Sequence, residues 1–416
     1  MSKKKKSTRK TKETPAKPLR FAHPFFTPVP IAARPVTPGA GTHMTDYIQT
    51  KLLPVPPPLR DPTMTLDQII GTQGLQEIQT AGTLIFQAAG DTGHENGTMQ
   101  QYVADAMSAD FDTARPEASP AFFLHLGDVI YYDNTDKGYQ AQFYVPYKKY
   151  PGKIIAIPGN HDGELFKFDG TSTGQTTTLA AFQRNFCQPK RGVPSGAATI
   201  YREMVAQPGV YWWLKAPFID IVALYSNVGE GPGFISGADI GQAQKNWLVK
   251  TLNSIKKDRA AGNRKALILA VHHPPFSEGG HSSSTTMLAD LEDACTKAGI
   301  WPDAVLAAHS HNYQRFTRHI SVNGKDQPTP YFVVGTGGRG TSPVVAATGQ
   351  RTGDHSFDSS LAGYGYLTVK ANASQLILSF SQVDASGKKS AFDQPVIIDL
   401  AAQAATQNES HKKRKK

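Results

Sequence analysis

Short apolar runs, each closed by glycine or another turn-forming residue, recur along this chain from about residue 84. Leu84–Ala89 is apolar almost throughout and stops at Gly90, as a strand buried on both faces does. Ala121–Leu126, Ile154–Ile157, Leu267–Val271, Val305–Ala308, Tyr331–Val334, Tyr364–Val369 and Leu376–Phe380 read as strands in the same way. Tyr201–Leu214 and Phe218–Tyr225 are predicted as two more. Between them the period changes. Met99–Phe111, 178–187, Gln242–Ile255 and Met287–Ala298 have helical spacing, with Trp247, Leu248 and Leu252 on one face of the third. Strands interleaved with helices imply a layered α/β core. The crowding of strands late in the chain predicts a second sheet rather than one doubly wound sheet.

Composition changes this picture at the two ends. Twelve of the 29 prolines fall within residues 1–62, so that region cannot be a helix or a central strand. Residues 1–75 are therefore expected to form a basic, proline-rich, irregular arm, residues 76–400 the folded domain, and residues 401–416 a basic tail. The net charge of +10 suggests a nucleic-acid ligand until it is located. Residues 1–20 carry net +8 and residues 409–416 net +4, which leaves the body near −2. Weak contact with nucleic acid or an anionic membrane is thus expected only through the tails, beside the plainer role of solubilising arms. No run approaches 18 apolar residues, which excludes a spanning helix. The charged start has no apolar run behind it, so no signal peptide is expected and a cytoplasmic location is, with a nuclear one open in a eukaryote. The two cysteines, Cys187 and Cys295, exclude a disulfide scaffold.

The chemistry gathers where the predicted strands end, as ligand-binding loops do in such folds. The first strand runs into Gly90-Asp91-Thr92-Gly93, the second into Gly127-Asp128-Val129-Ile130-Tyr131, and the third into Gly159-Asn160-His161-Asp162. Later strands run into His272-His273-Pro274 and His309-Ser310-His311. A single Gly-Asp pair after a strand is ordinarily a turn, and a lone histidine a satisfied polar residue. Five such strand ends in succession point to metal chemistry. The donors are too many for one tetrahedral zinc. Mixed oxygen and imidazole donors favour iron, manganese or zinc. Two metals about 3.5–4 Å apart are a common device for phosphoryl hydrolysis.

As a set, Gly90-Asp-Thr-Gly, Gly127-Asp-x-x-Tyr131, Gly159-Asn-His161-Asp, Val271-His-His-Pro and Ala308-His-x-His311 resemble the five blocks of calcineurin-like metallophosphoesterases. Gly93 stands where most of that superfamily has histidine, and Tyr131 takes the place that purple acid phosphatases fill with tyrosine. The resemblance covers residues 83–335 and extends through Gly335-Thr-Gly-Gly towards the late strands. It implies a four-layer α/β/β/α sandwich of two mixed sheets flanked by helices. It implies two metal ions, Fe plus Fe, Zn or Mn. The first would be held by Asp91, Asp128, Tyr131 and His311, the second by Asp128, Asn160, His272 and His309. His161 would face the substrate and assist the leaving oxygen. The reaction implied is attack of a metal-bound hydroxide on the phosphorus of a monoester, as in acid phosphatases. Pro274 favours His272 over His273 as the ligand, His94 reads as a loop residue, and His125 as a core histidine. A phosphodiesterase acting on nucleotides or nucleic acid is one alternative. A noncatalytic scaffold tethered by the basic tails is another. Ala308 replaces the commoner glycine, and residues 1–75 do not suit the β-sandwich that some members carry.

Overall fold

The computed structural model describes residues 52–400, apart from 94–96, 168 and 323. In chain order the elements are β1 (Thr63–Thr65), α1 (Leu66–Ala81), β2 (Thr83–Ala89), α2 (Thr98–Ser108), β3 (Phe122–His125), β4 (Lys153–Ala156) and α3 (Ala180–Phe186). Then come β5 (Trp212–Lys215), β6 (Ile219–Ala223), α4 (Ala243–Ala260), β7 (Ala266–Ala270), α5 (Thr285–Ala298) and β8 (Ala304–Ala307). The last stretch holds β9 (Tyr313–Val322), β10 (Lys325–Val334), β11 (Arg351–Thr352), β12 (His355–Leu361), β13 (Tyr364–Asn372), β14 (Gln375–Val383), β15 (Lys389–Ala391) and β16 (Val396–Asp399).

Alternation within single strands explains the layering. Along β7, Ala266, Ile268 and Ala270 join the core between two sheets, while Leu267, Leu269 and Val271 join a separate core under α4 and α5. β6 divides likewise, with Ile219, Ile221 and Ala223 inward and Val222 and Leu224 outward. A strand covered on both faces has no polar side, which is why these strands read as unbroken apolar runs. One sheet has nine strands in the order β1-β5-β6-β7-β8-β10-β9-β12-β11. The other has seven: β15-β14-β13-β2-β3-β4, with β16 also on β14. Both are mixed. β6, β7, β8 and β10 run parallel, as do β2, β3 and β4, and the late strands are antiparallel. α1 and α2 lie against the seven-stranded sheet. The result is the expected four-layer α/β/β/α arrangement.

Two expectations need correction, and two strands were not expected. Residues 63–75 are not irregular: β1 and α1 occupy Thr63–Ala81. Leu66, Ile69 and Ile70 are buried at helical spacing up to a kink at Gly71, and Gln68 Oε1 accepts the Thr65 N–H at the helix start. The prolines stop at Pro62, one residue before the strand. The irregular arm therefore ends earlier than composition suggested; residues 1–51 and the 401–416 tail lie outside the described residues. Tyr201–Leu214 is a strand only from Trp212. Tyr201 is exposed, and the buried Arg202 guanidinium instead donates to the carbonyls of Tyr147, Tyr150 and Gly152. β9 and β12 were hidden by polarity. Arg315 and Arg318 on β9 pair with Asp358, Asp393, Asp354 and Glu292, which lets a charged strand sit inside a sheet. No described helix is long and apolar enough to cross a membrane.

Candidate metal centre

The parallel strands of both sheets deliver their carboxyl ends to one rim. β2, β3 and β4 present Asp91, Asp128 and Asn160 from the seven-stranded sheet; β7 and β8 present His272, His309 and His311 from the other. A main-chain bond joins the sheets there: Gly90 N–H, after β2, donates to Val334 O of β10 at 2.9 Å, while Asp91 N–H donates to Gly127 O at 3.0 Å within the seven-stranded sheet. Asp91, Asp128, His309 and His311 all have positive φ, between 50° and 69°. That is a sparsely populated region for residues bearing a Cβ, costing of order 1–3 kcal/mol each. The chain accepts it in order to turn each side chain back over its strand end. Gly159 is required by close approach, because a Cβ there would lie 2.1 Å from Asp128 Oδ1.

All eight predicted site residues meet in this cluster. The Tyr131 hydroxyl donates to Asp91 Oδ1 at 3.1 Å and lies 3.0 Å from His311 Nε2. His272 Nε2 is 3.1 Å from Asn160 Oδ1 and 3.4 Å from Asp128 Oδ2. His309 N–H donates to Asp91 Oδ2 at 2.6 Å, and His161 N–H to Asp128 Oδ1 at 3.0 Å. His161 Nε2 stands 4.0 Å from Asp128 Oδ2. Among the described residues three groups of donors have ligand atoms within 4.8 Å of one another: Asp128, His272 and His309; Asp91, Asp128 and His311; and, beside them, His161, Glu164 and Glu230. Asp128 is shared by the first two.

His272 and His273 separate cleanly. The His272 Nδ1–H donates to Leu126 O at 2.8 Å, which leaves Nε2 facing the cluster. Both ring nitrogens of His273 are engaged elsewhere, Nδ1 with Ser226 Oγ at 2.7 Å and Nε2 with Gly229 O at 2.7 Å. His125 is a buried core histidine that accepts from Gly127 N–H and contacts Thr92 Oγ1 at 2.9 Å. His94 lies outside the described residues.

The cluster is strained electrostatically as well as sterically. Burial pushes Asp91 up to about 7, the Asp128 charge adds to this, and His272 opposes it. Burial also penalises the charged form of Asp128, but His272 and His161 hold it below the ordinary carboxylate range. Burial would lower His272; Asp128 and Asp91 raise it instead, to about 9. His309 and His311 are driven well below the usual imidazole range, by burial first and by His281 next, so both are neutral donors. Asp128 Oδ2 is buried and accepts no hydrogen bond. A buried carboxylate oxygen without a hydrogen-bond donor, beside the neutral His309 and His311 rings and the Asn160 and Tyr131 oxygens, is donor chemistry that suits a cation; in the absence of one, His272 supplies the compensating charge.

Sequence reasoning missed four neighbours. Glu164 Oε2 lies 2.9 Å from His161 Nδ1, and its spacing of three residues on a helical turn was a readable signal. Glu230 Oε2 accepts from Asn160 Nδ2 at 3.0 Å, and its main-chain oxygen lies 3.2 Å from His309 Nε2. The His281 ring packs against His309 at a tilt of 33°, with centroids 4.1 Å apart. The Arg339 guanidinium lies over the Tyr131 ring, 4.5 Å from its centroid. Glu230, His281 and Arg339 sit in long glycine- and serine-rich loops where no local pattern marks them.

These strand-end loops between two mixed sheets gather carboxylate, imidazole, amide and phenol donors at one rim, a candidate metal centre. The chain belongs to the calcineurin-like phosphoesterase family, which residues 88–313 match, and is a phosphoric ester hydrolase by that membership. It is similar to tartrate-resistant acid phosphatase type 5 of Rattus norvegicus, 23% identical over 343 residues that span 74% of this chain and 89% of that protein. Among solved structures it resembles GAP50, the anchor in the inner membrane complex of Plasmodium. That match has a TM-score of 0.51 and 12% identity, and covers 79% of this chain and 94% of that one. At that identity the likeness concerns the fold alone.

Proposed function

We propose that this chain is a dinuclear phosphomonoesterase of the purple acid kind. One observation supports the reading: Asp128, with a buried oxygen that accepts no hydrogen bond, is shared by two of the donor groups, so that one carboxylate would serve two cations. Asp91, Asp128, Tyr131 and His311 would hold one ion, and Asp128, Asn160, His272 and His309 the other. The phenol of Tyr131 is a hard oxygen donor that suits iron, with iron, zinc or manganese beside it. Gly93, in place of a histidine, and the acid phosphatase relative support the branch. Two cations held there would supply Lewis-acid polarisation of the phosphoryl group and activation of water at neutral pH.

The chain's own residues do the rest. Glu164 fixes the His161 ring through Nδ1, at 2.9 Å, and turns Nε2 towards the cluster. His161 Nε2 is then placed to give a proton to the leaving oxygen. The neutral His309 and His311 rings and the His281 ring wall one side without adding positive charge. The rest of the reading, a cytoplasmic location with only weak contact through the basic tails, belongs to the same proposal.

The test is metal quantification on the purified protein together with an aryl phosphate monoester and a bis-aryl diester. Two metals per chain and faster monoester turnover are expected. Faster turnover of the diester would replace this reading with a phosphodiesterase. Absence of both metal and turnover would favour the scaffold.

A further inference from the structure

The loop that follows β10 lays the Arg339 guanidinium over Tyr131 of the cluster. Gly337 N–H donates to Gly90 O, Arg339 N–H to Asp91 O and Ser342 N–H to His311 O, each at 2.9 Å. The loop is therefore tied at three points to the segments that carry the candidate ligands. Its glycines permit the approach: a Cβ on Gly335 would lie 2.6 Å from Asp91 Oδ2. Thr336 is buried and donates to Gly365 O, away from the site, which leaves Arg339 as the long side chain delivered there. Its guanidinium stacks over Tyr131 at 4.5 Å and near Tyr132 at 5.6 Å. Those two rings are also the neighbours of His161, at 4.4 Å and 5.0 Å between centroids. Tyr132 holds its position with φ at 60°, a strained value for an aromatic residue.

We propose that Arg339 recognises a second phosphate carried by the leaving group, so that preferred substrates bear two phosphates. This rests on the phosphomonoesterase reading above, in which the leaving oxygen departs past His161. Charge selects the direction of departure. Glu164 and Glu230 flank His161, 2.9 Å from Nδ1 and 3.8 Å from Nε2, and repel an anionic leaving group. Against those carboxylates Arg339 brings a positive charge, over the Tyr131 and Tyr132 rings that contact His161. A guanidinium stacked on tyrosine faces is already oriented, and its planar fork matches a phosphate in a bidentate way.

Glucose 1-phosphate and glucose 1,6-bisphosphate differ only in the second phosphate, so kcat/KM for cleavage at C1, read as glucose and as glucose 6-phosphate formed, isolates its effect. The wild-type chain is expected to favour the bisphosphate at least tenfold, as charge-assisted hydrogen bonds of this kind allow. Arg339→Ala should lose at least tenfold more on the bisphosphate than on glucose 1-phosphate, and Arg339→Lys should recover part of the difference. Equal losses on both substrates would show that Arg339 only packs Tyr131, and a wild type with no preference would also overturn the proposal. A second readout needs no turnover: equilibrium binding of methylenediphosphonate against methylphosphonate, with metal content measured afterwards. Failure to hydrolyse either sugar phosphate, with the diphosphonate preference present and abolished in Arg339→Ala, would refute the phosphatase reading and leave the anion site standing.

Discussion

Asp128 Oδ2 sits in a fully buried position with His272 at 3.4 Å and no hydrogen-bond donor. Replacing it with asparagine keeps the volume and removes the one charge that two of the donor groups share. Asp128→Asn is expected to retain less than one metal per chain. Turnover should fall by more than the roughly 10–100-fold that loss of an outer partner causes. Metal analysis on the folded variant decides this, and two retained metals would refute the shared role. Tyr131 tests a different point. Its hydroxyl joins Asp91 and His311, so Tyr131→Phe removes a donor without emptying space. In iron-loaded, oxidised protein the wild type should show a visible phenolate-to-iron band. Tyr131→Phe should lack it, and His161→Ala should keep most of it. A band that persists in Tyr131→Phe would take the chain out of the purple acid branch while leaving Asp91, Asp128, Asn160, His272, His309 and His311 in place.

At the scale of elements, the strands that carry the ligands depend on polar anchors at their opposite ends. Asp303, just before β8, is fully buried. It receives Arg264 at 2.6 Å, Arg259 of α4 at 3.0 Å and the Leu267 N–H of β7 at 2.7 Å. Burial opposes its charge, but Arg264 and Arg259 outweigh this and hold its carboxyl below the ordinary range. Asp303→Asn strands two part-buried guanidinium groups, and unfolding in urea near pH 7 should show a loss of about 3–5 kcal/mol. Because the folded pKa is depressed, this contribution is present in full above the unfolded carboxylate value of about 4. It fades as pH falls through the folded value. The stability gap between wild type and variant should therefore narrow in acid; a gap independent of pH would assign the loss to packing. The same elements show where sequence patterning works and where it stops. β7 and β8 are short, apolar and doubly covered, so their composition announces them. β9 carries Arg315, Thr317 and Arg318, and only acidic partners from β12, α5 and neighbouring loops make that polarity compatible with a sheet.

Across the whole molecule, charge and catalysis are separated along the chain. Residues 1–20 and 409–416 carry net +12 of a total of +10 and contain none of the proposed ligands. Deleting both is expected to leave turnover of a small phosphate ester close to that of the full chain. The salt-dependent binding of nucleic acid or anionic vesicles should weaken, with a shallower dependence on salt. Loss of small-ester turnover in a still folded truncation would place a tail in the site.

What the sequence determined by itself is the donor set and its order. A strand end followed by Gly-Asp, Gly-Asn-His or His-x-His is a local pattern, and five in succession define the cluster before any contact is known. The helical stretch Leu66–Ala81 was also within reach, since Leu66, Ile69 and Ile70 keep a helical period up to the kink at Gly71; the prolines just before it obscured the signal. Only the tertiary structure decided which histidine of the 272–273 pair faces the cluster. That depends on where Leu126 O, Ser226 and Gly229 lie, and those partners are 44 to 146 residues away in the chain. The same holds for Glu230, His281 and Arg339. Each lies in a loop with no periodicity, and each reaches the site because two sheets packed face to face bring distant loops to one rim. A local pattern encodes what a strand end can bind. Which charges surround it is set by long-range packing, which a one-dimensional pattern does not record.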